Sequence, residues 1–149
     1  MYPRGMAAVQ VIDDYVAALP GARKLDHGEW GITLAAEAGG GWPLDVGIRV
    51  AEGLVRVQAF ALGADPALNA WNFLHWNRGT RMARFSCTRE GDIWVQADLP
   101  ATALDDKELD RLLGLVVEGA LAARTAVAQR AEAAEAPDPA GSGGWGSLG

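Results

Sequence analysis

Cysteine occurs once in the 149 residues, as Cys87, and histidine twice, as His27 and His75. A single cysteine excludes an internal disulfide framework and agrees with a reducing cytoplasm. The two histidines stand on separate segments, and neither has neighbours spaced as metal ligands or as the base of a nucleophile. Positive charge is scarce as well. Thirteen Lys and Arg against nineteen Asp and Glu leave a net charge of −6, which gives no electrostatic footprint for direct nucleic-acid binding. No apolar run approaches the ~20 residues of a bilayer span, and the start, Met1-Tyr-Pro-Arg-Gly-Met6, lacks the apolar centre of a signal peptide. A soluble cytoplasmic protein is expected, with no membrane contact.

What is present is ordinary for a globular chain: 50% apolar and 21% charged residues, in a length that suits one domain. A first helix is predicted from about Ala7 to Leu19, with Val9, Ile12, Tyr15, Val16 and Leu19 as its stripe, ended by Pro20-Gly21. Three strands follow. Trp30, Ile32, Leu34 and Ala36 alternate with small or polar residues, and Gly39-Gly40-Gly41 turns the chain. Leu44, Val46, Ile48 and Val50 alternate with Asp45, Gly47 and Arg49, and Glu52-Gly53 makes a tight hairpin into 54–62. There Val55, Val57, Ala59 and Ala61 face one way, and Leu54, Arg56, Gln58 and Phe60 the other.

The segment 66–78 reads as a short helix with Asp65 as N-cap and Pro66 at its first position. Ala67, Leu68, Ala70, Trp71 and Leu74 share one side, taken as core, while Phe73 and Trp76 fall on another and ask for cover from a second chain. Two further strands are predicted over 81–88 and 93–99, with Cys87 inward beside Phe85 and with Trp94, Gln96 and Asp98 on a solvated face. The last helix starts near Asp105, with Glu108 at capping-box spacing, and frays after about Gln129. Its stripe is Leu109, Leu112, Leu113, Val116, Val117, Ala120 and Ala123. Residues 1–130 form the domain, and the Ala-, Gly- and Pro-rich stretch 131–149 is expected to be a disordered tail, in which Trp145 reads as inert. The order α-β-β-β-α-β-β-α with short links implies an α+β domain with an antiparallel five-stranded sheet and helices on one face.

No catalytic or metal-ligating set emerges, and no cofactor is implied. Asp26, His27 and Glu29 could suggest a metal loop but read as solvated turn residues; the acidic groups around Asp13 and Asp105 read as helix faces and caps. The glycine triplet lacks the strand-to-helix context of a phosphate loop. Aromatic residues on polar strand faces remain: Phe60 and Trp94, accompanied by Arg56 and Asp98, are the candidate protein-binding residues. Phe73 and Trp76 are the candidate dimer contact.

The segments Leu74-His-Trp76-Asn77-Arg78, Ala83-Arg84-Phe85, Gly91-Asp92-Ile93-Trp94-Val95 and Asp98-Leu99-Pro100, in this element order, resemble the YbjN family, which is similar in fold to the class I type III secretion chaperones. The resemblance covers about Val9 to Ala128. It implies a small bacterial, acidic, usually dimeric protein that binds a segment of a partner protein, as a chaperone-like module or regulator without catalysis. A small-molecule-binding sensory domain, with ligand between sheet and helices, is the alternative. An unrecognised enzyme ranks below both.

Overall fold

The computed structural model describes residues 6–135, and the segment 136–149, Trp145 included, lies outside them. Helix α1 spans Met6–Ala17, followed by strands β1 (Ala22–Asp26), β2 (Glu29–Leu34), β3 (Leu44–Ala51) and β4 (Leu54–Leu62). Then come α2 (Ala70–Asn77), β5 (Arg84–Cys87), β6 (Ile93–Pro100), a 3-10 turn at Ala101–Ala103 and α3 (Asp106–Glu135). All strand pairings are antiparallel, and the sheet has six strands in the order β1-β2-β3-β4-β6-β5. The five-strand expectation missed β1. Its sequence, Ala-Arg-Lys-Leu-Asp, has no buried position, so an edge strand held by backbone pairing leaves no hydrophobic period to read.

Period-2 alternation does its work in the other strands. Trp30 and Ile32, Leu44, Val46 and Ile48, Val55, Val57, Ala59 and Ala61, and Ile93, Val95 and Ala97 are all buried on the face that α1 and α3 cover. The β3–β4 hairpin turns on Glu52 and Gly53, at φ 54° and 78°, the pair of positive values that a two-residue turn matched to strand twist requires. Asp105 caps α3 by accepting from the Glu108 amide at 2.8 Å. Leu109, Leu112, Leu113, Val116, Ala120 and Ala123 are buried. Within Asp106–Ala131 an 18-residue stretch reaches a mean hydropathy of 1.3, enough for a bilayer span by length and composition, yet the helix's apolar stripe is spent on the sheet. The helix also runs to Glu135, past the expected fraying point.

Three expectations fail locally. Asp65 caps no helix: its carboxylate accepts from the Ala67 amide at 2.9 Å in a separate turn, and Asn69 caps α2 by accepting from Trp71 N at 3.0 Å. Cys87 is exposed, at the end of β5 on the sheet margin. On α2 the two sides are exchanged. Phe73 is 6% exposed, whereas Trp71 is 76% and Leu74 58% exposed. Phe73, Trp76 and Phe85 form an aromatic cluster with centroids 5.2, 5.3 and 6.0 Å apart. Phe73 is therefore enclosed by its own chain and has no free surface for a dimer contact, while Trp76 is half-buried beside it. The outward residues are the ones expected to be core.

One buried charge had no precursor in the sequence reading. Arg124 on α3 is 2% exposed, and its guanidinium donates to the carbonyls of Ala61, Gly39, Trp42, Pro43 and Phe60. The Trp42 ring covers it at 4.3 Å. A planar fork with five donors fits this task. It ties the glycine-rich turn and the end of β4 to the helix.

Candidate partner-binding surfaces

With the buried faces of the strands turned toward the helices, the other face of the sheet is bare among the described residues. Strand registers arrange its side chains in three rows across the sheet. In the first, Glu29 pairs with Arg49, Arg49 with Arg56 and Arg56 with Asp98. Arg56 donates to Asp98 through two bonds of 2.7 and 3.0 Å, and this bonding to the carboxylate raises the guanidinium's pKa further. Arg49 approaches Glu29 at 3.7 Å. In the third row Phe60 pairs with Trp94 and Ser86 with Trp94. The two rings meet edge to face at 5.4 Å and 80°, a favourable aromatic geometry.

Between them runs a row with little to fill it: Arg23 opposite Gly31, Gly31 opposite Gly47, Gly47 opposite Gln58, and Gln58 opposite Gln96. Two adjacent glycines leave the centre without side chains, so the row is a furrow. A Cβ on Gly31 would lie 3.3 Å from the Leu25 side chain. Leu25, 55% exposed, thus leans over that end of the furrow, facing Phe60 and Trp94 along its wall. The structure brings Arg56, Phe60, Trp94 and Asp98 together on this face, on neighbouring strands β4 and β6. Sequence reasoning did not find the glycine floor or Leu25; the signal was a glycine in the same facing on two consecutive strands, legible only once their register was known.

The two sheet edges differ. At β5 the Asn77 amide acts as a surrogate strand: its Nδ2 donates to Phe85 O at 3.1 Å and its Oδ1 accepts from Phe85 N at 2.8 Å. The peptide groups that edge would offer at Phe85 are taken. At β1 the Thr33 amide donates to Gly21 O, so alternation turns the peptide groups of Lys24 away from β2 and leaves them open. Strand β1 is steadied from the helix side. Trp30 Nε1 donates to Asp13 at 2.9 Å and Lys24 Nζ to the same carboxylate at 3.3 Å. These bonds, the one from Trp30 foremost, hold the Asp13 pKa below the usual carboxylate value.

Asp26, His27 and Glu29 do not converge. Asp26 accepts from the His27 amide at 2.7 Å in the β1–β2 turn, and Glu29 faces Arg49. Among the described residues no group of three or more His, Cys, Asp or Glu is placed to hold a metal ion.

Residues 48–129, from mid-β3 into α3, match the sequence pattern of the YbjN family, described as "Putative bacterial sensory transduction regulator". Curated protein sequences give no match. Solved structures give the fold. A chain of the HopA1–SchA chaperone–effector complex superposes with a TM-score of 0.63 at 12% identity, over 83% of this chain and 99% of that one. A chain from the complex of the Yersinia pestis type III secretion chaperone SycH with a stable fragment of YscM2 gives 0.59 at 12% identity, over 77% and 98%. A chain of the ExsC–ExsE complex gives 0.52 at 16% identity, over 80% and 92%. The α+β architecture is that of the type III secretion chaperones.

Proposed function

The chain belongs to the YbjN family, and on that footing we propose that it is a non-catalytic, chaperone-like protein that binds an extended segment of a partner polypeptide in the cytoplasm. The observation that carries this reading is the bare sheet face, on which a Phe60–Trp94 pair flanks a glycine-floored furrow. Large aromatics on an uncovered face are the residue types that anchor protein contacts. The partner segment lays apolar side chains over Phe60, Trp94 and Leu25, and adds backbone hydrogen bonds at the open β1 edge. Arg56 and Asp98 rim the patch and set register. The superposed chains come from complexes described as a chaperone–effector pair and as a secretion chaperone with a bound fragment, and binding of a protein segment is carried over from them as part of this reading.

We propose a homodimer as well, with the contact on the outward side of α2. Trp71 and Leu74 lie three residues apart on that helix, both more than half exposed, and a two-fold axis would set this strip against its own copy. Light scattering during gel filtration at micromolar protein is expected to give twice the chain mass for the wild type and the single mass for Trp71→Ser/Leu74→Ser. A wild-type monomer contradicts the dimer.

A further inference from the structure

Beside the pinned β5 edge, on the helix side of the sheet, lies a cleft of about 380 Å³, a size suited to a small molecule. Its walls are apolar: Trp76, Phe85, Val95 and Leu115, with Gly119 and Ala122 keeping the α3 side low. A Cβ on Gly119 would stand 3.0 Å from a Val95 methyl. Helix α3 is thus drawn tightly onto β6 at that point, and the space opens next to it. Along α3 the cleft runs from Leu115 to Ala122, about 10 Å at helical rise, which is short for a docking helix.

The mouth is charged and unsymmetrical. Arg81, Arg84 and Glu118 are the charged residues among its lining. Arg84 is held in place through a single nitrogen, Nη1, which donates to Thr80 O at 3.2 Å, Thr80 Oγ1 at 3.0 Å and Ala83 O at 2.9 Å. The chain between the two arginines makes a three-residue turn. Ala83 N donates to Arg81 O at 2.6 Å, with Met82 at φ 63°, a left-handed conformation that costs a methionine strain. That strained turn joins Arg81 to Arg84, where β5 begins opposite Gln96.

We propose that this cleft is a binding site for a small organic acid with one carboxylate and an apolar body. The body packs among Trp76, Phe85, Val95 and Leu115, and the carboxylate meets the guanidinium groups of Arg81 and Arg84, whose planar forks match it. Glu118 repels a second negative charge and so favours monoacids over diacids. Arg84, opposite Gln96, is the one residue the site shares with the bare sheet face, and Trp71 and Leu74 lie outside it; the Ala122→Trp plug therefore tests the cleft separately from partner binding.

Decanoate, titrated below its micelle range into the full chain and followed by backbone amide NMR, tests this. Saturable one-to-one shifts are expected at residues 79–85 and 115–122, with sebacate and decyltrimethylammonium at least tenfold weaker. Arg84→Ala is expected to weaken decanoate at least tenfold. Ala122→Trp, at an exposed α3 position, is expected to plug the cleft and abolish binding while the thermal midpoint stays put. Absence of saturable shifts, shifts that map to Trp71 and Leu74 or to the sheet face, or undiminished binding by both variants would overturn the proposal.

Discussion

Arg124 meets its buried charge with five backbone carbonyls and a tryptophan face, with no carboxylate in hydrogen-bond contact among the described residues. Burial lowers its pKa, against the nearby charge of Asp45, but an arginine stays protonated under such conditions. Arg124→Met leaves those carbonyls without their donor and is expected to cost on the order of 3 kcal/mol by urea unfolding; an unchanged midpoint would mean that the turn at 39–43 finds other partners. In sequence Arg124 lies four residues beyond Ala120, on the flank of the apolar stripe. An arginine there reads as a solvated boundary residue, because the carbonyls that need it are supplied by segments some 60 to 85 positions away. A second long-range contact has a pH signature. Tyr15 donates to Asp110 at 2.9 Å, and burial, with that bond and its charge, pushes the phenol from 10.0 up to about 12. A raised folded-state value means stabilisation that is complete below the unfolded phenol's pKa near 10 and is lost as pH climbs through about 12. Wild-type stability is expected to fall more steeply over that window than that of Tyr15→Phe, measured by urea unfolding in a pH series; parallel curves would contradict the coupling.

At the scale of elements, strands and the long helix were legible and α2 was not. Strand facing follows from strict alternation, so Phe60, Trp94, Arg56 and Asp98 could be placed on one side from the sequence alone. The eight residues of α2 span little more than two turns, too few for a stripe to define itself. A helix read from Pro66 places Ala67 and Leu68, which precede the Asn69 cap, on its wheel, and they draw the inward direction toward Trp71 and Leu74. What decides the orientation is tertiary: the Phe85 ring on β5 and the Asn77 bonds to its backbone fix Phe73 and Trp76 inward. Phe73→Ala is accordingly expected to cost about 3–4 kcal/mol in denaturant unfolding, by loss of a buried ring. Trp71→Ser at low concentration should stay within about 0.5 kcal/mol of wild type. Equal costs would show that α2 packs the other way round.

At the scale of the whole molecule, helices α1, α2 and α3 lie to one side of a six-stranded sheet, and among the described residues no element covers the other side. A domain this size can cover one sheet face with its own elements; a bare face bearing an aromatic pair is then a surface for something else. The missed strand β1 matters here, since it supplies both the open edge and Leu25, and its charged, exposed sequence hid it. The central claim is that a partner polypeptide lies on this face. A photo-crosslinking amino acid placed at Trp94 in the source cell tests it most directly, with Arg111 on the exposed side of α3 as the comparison site. A discrete adduct with one polypeptide is expected from position 94, weakened by Phe60→Ala and absent from position 111. No adduct from position 94, or the same adducts from both positions, would contradict a partner site on the sheet face.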